Sequence, residues 1–345
     1  MNSADIAITS SQPAATRADA HVRSVPGNVT WGLIPANAPP VLRIASGQTV
    51  RIDTVSQQGI TAGIDPVEFF GAAGIDPDRV LDDVKQIYRH VKREPGAGGH
   101  VLTGPIYIDA AHPGDMLEVR ILDVEFRIDY GVNNSGPGLG AAPELLPDVA
   151  RNIIRLDLER GVAKFSPQIE LPLAPFMGIM AVAPPLAQAP ANTRPPGAFG
   201  GNMDLKMLTR GSTLYLPVFH EGAQFFTGDG HGLQGDGEIN GTAIEISLTP
   251  TLQFIVHRGA GRDMKWPRAE DRDHHYVMGM DTDLDEAAHL AILESVAFLQ
   301  ARAGLSAADA YALTSLAVDF RIGEAVNHVK MVYGAIPKRL LPRST

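Results

Sequence analysis

The chain has 345 residues, with 39 Asp and Glu against 29 Lys and Arg and a formal net charge of −10. That length suits one large domain or two modest ones, and the negative balance argues against nucleic acid and anionic membrane surfaces as partners. Cysteine is absent, which removes disulfides, thiolate metal sites and every cysteine-nucleophile mechanism.

The first twenty residues, MNSADIAITSSQPAATRADA, read as a polar arm without the basic-then-apolar order of a signal peptide. No apolar run reaches membrane-spanning length, so a cytoplasmic location is expected. Val41 to Ile44 and Thr49 to Asp53 are β-branched runs broken at Ser46-Gly47. From Asp65 to His90, Val67, Phe69, Phe70, Val80, Leu81, Val84, Ile87 and Tyr88 follow the start signals Pro66 and Asp76-Pro77 and predict one or two inserted helices. Val101 to Ile108 and Met116 to Ile128 predict strands around the turn Pro113-Gly114-Asp115. Further strands are expected at Gly178 to Ala183, Thr213 to Phe219, Ala243 to Thr249 and Leu252 to His257, with Ala183 to Pro196 an ordered loop or a flexible linker. Closely spaced strands with Pro and Gly between them predict a sandwich or barrel, not a doubly wound parallel sheet.

Residues 283 to 303 place Leu284, Ala287, Ala288, Ala291, Ile292, Ser295, Phe298 and Leu299 at helical spacing, with Thr282 or Asp281 as cap and Gly304 as stop. Ser306 opens a second helix, and beyond Phe320 the pattern turns irregular or strand-like up to Ile336-Pro337. The expected organisation is a polar arm over 1–20, a β-rich core over 21–260 with a helical insertion near 65–90, and a helical region over 261–345 packed on that core.

The chemistry concentrates in residues 199 to 247, where glycines surround Asp204, Asp229, His231, Gln234, Asp236 and Glu238. Glycine permits positive φ and close backbone approach, so neighbouring polar side chains can converge. Carboxylates and a histidine on tight turns suit a metal site or general acid–base work, against the plainer reading of surface turns between strands. G-x-S-x-G, S-x-x-K and H-E-x-x-H are all missing, and Asp229 to Glu238 does not fit the spacing of a calcium loop. Asp229 and His231 are two apart and share a face if extended; the alternative is a turn Asp beside a solvated His. By parity Glu238 shares a face with Ile244 and Ile246, unless a bulge at Gly241 reverses it. A carboxylate on an apolar face needs a cation or acquires a raised pKa, whereas a capping carboxylate needs neither. Asn202, after Gly200-Gly201, can donate to and accept from an amide at once. Asp53 at a strand end either reaches the same pocket or starts a turn. His274-His275 reads as a solvated loop and His289 as structural.

GGNMD at 200–204, GSTLYLPV at 211–218 and GDGHGLQGDGEINGTAIE at 228–245 resemble the acetamidase/formamidase family. PPVLRIASGQTVRIDTVSQQGI (39–60), GPIYIDAAHPGDML (104–117) and HHYVMGMDTDLDEAAHLA (274–291) extend the resemblance over roughly 25–337. It implies a mainly β fold, a β-sandwich of CUB-like or jelly-roll-like arrangement with a helical C-terminal region. It also implies hydrolysis of small linear amides to carboxylate and ammonia, with a divalent metal, zinc or calcium. Carried onto this chain, the family's site falls on Asn202, Asp204, Asp229, His231, Gln234, Asp236 and Glu238; within that set Asp204, Asp229 and His231 are expected as metal ligands, Glu238 and Asp236 as catalytic residues, and Asn202 and Gln234, joined by Asp53 from its strand end, as substrate contacts. The expected partner is a small neutral amide, with no nucleic acid or membrane, in a homo-oligomer. The chain departs from the family pattern at His112, where an acidic residue is usual, and at His220-Glu221, where an apolar pair is. NVTW also lacks a histidine ahead of Trp31, for which His21 or His220 would have to substitute. Those departures keep two alternatives open: hydrolysis of a bulkier amide, carbamate or cyclic imide, and a non-catalytic small-molecule or metal-binding sandwich.

Overall fold

The computed structural model describes residues 17–342, so residues 1–16 of the expected polar arm lie outside it. The fold is mainly β. Among the described residues the largest sheet has nine strands, in the order Ala20–Val22, Thr49–Ile52, Leu248–His257, Met116–Phe126, Thr213–Pro217, Arg268–Glu270, His274–Asp281, Lys330–Pro337 and Asp319–Glu324. Only the first pair is parallel. A second sheet runs Pro196–Gly197, Gly200–Asn202, Phe176–Ala181, Phe225–His231, Val101–Ile108 and Val29–Trp31, with Leu42–Ile44 also pairing Val101–Ile108. A four-stranded sheet, Ile169–Pro172, Val162–Ser166, Ala150–Asp157 and Tyr130–Ser135, forms a third path, with Ile154, Leu156 and Ala163 in the core shared by the other two. One hydrophobic cluster joins Val119, Leu252 and Phe254 of the nine-stranded sheet to Ile106, Ile179 and Phe225 of the second.

Two expected strands merge into one. Leu248–His257 runs through Pro250, and a register shift between Thr251 and Leu252 absorbs the irregularity. The preceding residues 243–247 form no strand; Glu245 makes only isolated bridges, to Val132 and His231. The parity argument for Glu238 therefore does not apply, because Glu238 and Gly241 both take positive φ and the chain turns between them.

The inserted helices are α1 (Pro66–Gly71) and α2 (Asp82–His90). Asp65 caps α1 by accepting from the Val67 N–H at 2.8 Å. Phe69 and Phe70 of α1 then pack with Tyr130 and Val132, while Val84 and Ile87 of α2 pack with Trp31, Ile60 and Val101. In the C-terminal region α3 (Leu284–Ala303) and α4 (Ala307–Ala317) are joined by four strands of the nine-stranded sheet. Asp283, one residue beyond the expected caps, accepts from the Asp285 and Glu286 N–H groups. Among the described residues no single helix is long and apolar enough to cross a membrane. His274-His275 opens a strand instead of lying in a loop, and His275 pairs with Glu270 at 2.9 Å.

Asp53 ties the first strands to the rest. Its Oδ1 accepts from the Thr249 hydroxyl at 2.9 Å and faces His21 at 3.0 Å, with Arg127 at 4.0 Å. Burial pushes its pKa up, but the His21 hydrogen bond and the Arg127 charge outweigh it and hold the carboxyl below the usual range. A depressed folded pKa stabilises above the unfolded value of about 3.9 and ceases to do so as pH falls through the folded value. Asp53→Asn is therefore expected to cost about 1–3 kcal/mol near neutrality. That cost should shrink below about pH 4. Urea midpoints of both proteins across this range measure it, and a pH-independent difference would assign Asp53 a purely steric role.

Candidate active site

The site is built around the strand Phe225–His231, whose seven residues are all buried. It lies between Phe176–Ala181 and Val101–Ile108, and Asp229 and His231, two apart, meet with Nε2 of His231 3.3 Å from Oδ2 of Asp229. Room for them comes from Gly178 on the neighbouring strand. A Cβ there would lie 2.6 Å from Oδ1 of Asp204, 2.7 Å from Oδ2 of Asp229 and 2.8 Å from Cε1 of His231.

Asp204 follows the strand Gly200–Asn202, and its N–H donates to the Gly178 carbonyl at 3.2 Å. Asn202 Nδ2 donates to Oδ2 of Asp204 at 2.8 Å, and Gln234 Nε2 donates to the Asp204 carbonyl at 2.9 Å. The Glu238 loop is braced from the C-terminal end of the chain: Gly237 N–H donates to Gly323 O, and Ala325 N–H to Gly237 O. Asp204, Asp229 and Glu238 have φ of 46°, 58° and 47°. Left-handed backbone at a non-glycine residue costs roughly 1 kcal/mol or more, and it concentrates where side chains must be aimed.

Four carboxylates surround one imidazole here, and a fifth, Glu324, adjoins the Glu238 loop. Asp204, Asp229, Glu238, Glu245 and Glu324 are all buried, as is His231. His231 Nε2 lies 3.4 Å from Glu245 and 4.0 Å from Glu238, its Nδ1 lies 3.9 Å from Asp204, and His100 Nε2 lies 3.8 Å from Asp229. Burial and the neighbouring Glu238 raise the Asp204 pKa. Burial likewise raises Glu238; the Glu245, Glu324 and Asp229 charges add to it and His231 opposes it. For Asp229 burial works the other way from the outcome, since the His100 and His231 charges hold it ionised. Burial disfavours charge on His231, yet Glu245 and Asp229 push its pKa up.

Several buried polar atoms have no hydrogen-bond partner: Oδ1 of Asn202, Asp204 and Asp229, Oε1 of Gln234 and both ring nitrogens of His231. Unpartnered buried groups are costly, and so many in one set of neighbouring residues suit the binding of a further group. Two trios have ligand atoms within 4.8 Å of one another, Asp204–His231–Glu238 and Asp229–His231–Glu245. Carboxylate oxygens with one imidazole suit a divalent cation. The expected trio Asp204, Asp229 and His231 thus divides, with His231 common to both halves.

Asn202, Asp204, Asp229, His231, Gln234 and Glu238 are brought together, and two expected site residues are not. Asp236 points away from the cluster, pairing with Lys206 Nζ at 2.8 Å and accepting from the Tyr333 hydroxyl at 2.9 Å. Asp53 is held in the His21, Thr249 and Arg127 contacts described above. His21 is thereby occupied, and His220 Nε2 donates to the Pro184 carbonyl at 2.7 Å, so neither substitutes for a histidine ahead of Trp31. His112 and Glu221, both departures, pair with each other at 2.7 Å in an exposed position.

Glu245, Glu324, His100 and Gly178 were missed. Glu245 closes the 228–245 motif, and an isolated bridge to His231 places it. Its Oε2 accepts from Gln57 Nε2 at 2.7 Å and its Oε1 from the Ala243 N–H at 3.0 Å. His100 carried no local signal; the pairing of Trp31 with Val101 and the Gly32 N–H donating to His100 O at 2.9 Å place it beside the site.

The Acetamidase/Formamidase family profile matches residues 36–188 and 185–341. An acetamidase of Mycolicibacterium smegmatis is 29% identical over 199 residues, 41% of this chain and 49% of that protein. A formamidase of Methylophilus methylotrophus is 28% identical over 191 residues, 41% of this chain and 47% of that protein. The chain spans about half the length of these curated relatives. The crystal structure of an acetamidase from Bacillus halodurans superposes with a TM-score of 0.76 at 30% identity, covering 92% of this chain and 98% of the other. The chain therefore belongs to the acetamidase/formamidase family.

Proposed function

We propose that the chain hydrolyses small neutral primary amides to carboxylate and ammonia. The observation that carries this reading is the pair of unpartnered oxygens on Asn202 and Gln234. Their NH₂ groups are already spent on Asp204, which fixes the oxygens as acceptors directed elsewhere. A primary amide offers two N–H donors to two such acceptors. The same family named for acetamidase and formamidase supports it. We also infer that the two larger sheets form a sandwich of the CUB-like or jelly-roll type, in keeping with the core cluster they share.

In this mechanism Asn202 and Gln234 orient the amide nitrogen. Glu238, buried and at the mouth of the cluster, takes a proton from the water that attacks the amide carbon and delivers it to the nitrogen as the C–N bond breaks. Asp229 stays ionised beside His231, 3.3 Å from its Nε2, and orients the ring. A divalent cation, zinc or calcium, held by His231 with Asp229 and Glu245 or with Asp204 and Glu238, would acidify water and polarise the carbonyl. The unpartnered carboxylate and imidazole atoms support that fit.

The test is ammonia release from formamide and acetamide before chelation, after it, and after reloading with zinc or calcium. We expect chelation to reduce release by about 10² or more and one of the metals to restore it, since removing a cation takes several kcal/mol from the transition state. Release that survives demonstrated metal removal would eliminate the cation, and no release from these or from longer primary amides in any state would eliminate the function.

A further inference from the structure

The mouth of the site opens into a cavity of 350 Å³ that neither formamide nor acetamide needs. Glu238 and Gln234 lie at its polar end. Its walls are Ile154, Phe165 and Leu171 from the four-stranded sheet, and Leu233, Ile239 and Ile244 from the loop that carries Glu238. Phe165 is 51% exposed and Ile239 57%. Large apolar side chains held open around a concave, polar-ended surface mark a ligand site. The polar groups on the rim are already consumed: Asn240 donates to Asn133 at 2.8 Å, Asn133 donates to the Ala243 carbonyl at 3.0 Å, and Asp236 pairs with Lys206.

We infer that this cavity is an acyl subsite and that the chain acts on primary amides whose acyl group is apolar and longer than acetyl. The inference rests on the proposed amide hydrolysis and adds its substrate class. The direction follows from the nitrogen. If Asn202 and Gln234 take both N–H groups, the nitrogen is unsubstituted, and any bulk must lie on the carbonyl carbon. The size follows from volume: a water-sized group occupies about 30 Å³ of liquid, so the cavity accommodates roughly a dozen, whereas acetamide has four heavy atoms. The apolar walls exclude a charged acyl chain, because nothing in them would satisfy it.

The experiment compares kcat/KM for acetamide, propionamide, butyramide and phenylacetamide, in the intact chain and in the double variant Phe165→Ala/Ile239→Ala. Both positions are half-exposed, so the variant is expected to fold, and circular dichroism and thermal midpoints verify that. A rise of about fourfold per added methylene is expected, the value of burying one CH₂ in the transition state. The double variant should lower the butyramide-to-acetamide ratio of kcat/KM by about tenfold. Hydrolysis of acetamide with a flat or falling series, or an unchanged ratio in the variant, overturns the acyl subsite and leaves amide hydrolysis standing. Absence of turnover on all four amides overturns both.

Discussion

Glu238→Gln is expected to leave the protein folded and to reduce kcat for amide hydrolysis by about 10² or more. Glutamine keeps the shape of the side chain and its αL backbone while removing the proton-transfer function. The stability outcome separates this role from a structural one. Glu238 is buried among Glu245, Glu324 and Asp229, which disfavour its charge, so a neutral replacement relieves repulsion and the thermal midpoint should hold or rise. A lower midpoint with kcat intact would make Glu238 a structural carboxylate. Metal content must be read in the same experiment, because Glu238 also belongs to one ligand trio. Full metal with lost kcat assigns it to proton transfer; lost metal assigns it to holding the cation.

Gly178→Ala should be comparably damaging, though it introduces no polar change. The new methyl group would fall within 2.8 Å of Asp204, Asp229 and His231 at once. None is the free end of a flexible surface chain: Asp204 and Asp229 are short, buried and set by strained backbone. His231 is closed in by Phe176, edge-on at 5.0 Å between ring centres. Overpacking of this kind costs about 1–3 kcal/mol. A displacement of about 1 Å among reacting groups costs about 10² in rate. We expect a lower thermal midpoint and nearly complete loss of ammonia release. Retention of both would show that the three side chains do not crowd this strand as described.

Much of this architecture was legible because it obeys short-range rules. Val101–Ile108 is bounded by turn residues and appears as expected, and the two-residue spacing of Asp229 and His231 puts them on one face of a strand. Asp236 was misplaced because no period survives in Gly235-Asp236-Gly237-Glu238: Gly237 and Glu238 both adopt positive φ, and only Glu238 turns into the cluster. Glu324 was illegible for another reason. It stands in an ordinary strand pattern, and its place beside Glu238 depends on the pairing of Gly237 with Glu324 across distant sequence. His100 shows the same limit, since nothing local relates it to Asp229.

The bracing of the Glu238 loop by Gly323 and Ala325 also orders events during synthesis. His100, Asp204, Asp229 and His231 are all made well before the strand Asp319–Glu324. A nascent chain that has paired the Phe225–His231 strand with its neighbours still has no partner for Gly237 and lacks the Glu324 charge. The acidic cluster is therefore completed by nearly the last segment of the described chain to emerge, and a product truncated before residue 319 would carry most of the reactive side chains without the loop geometry that makes them a site.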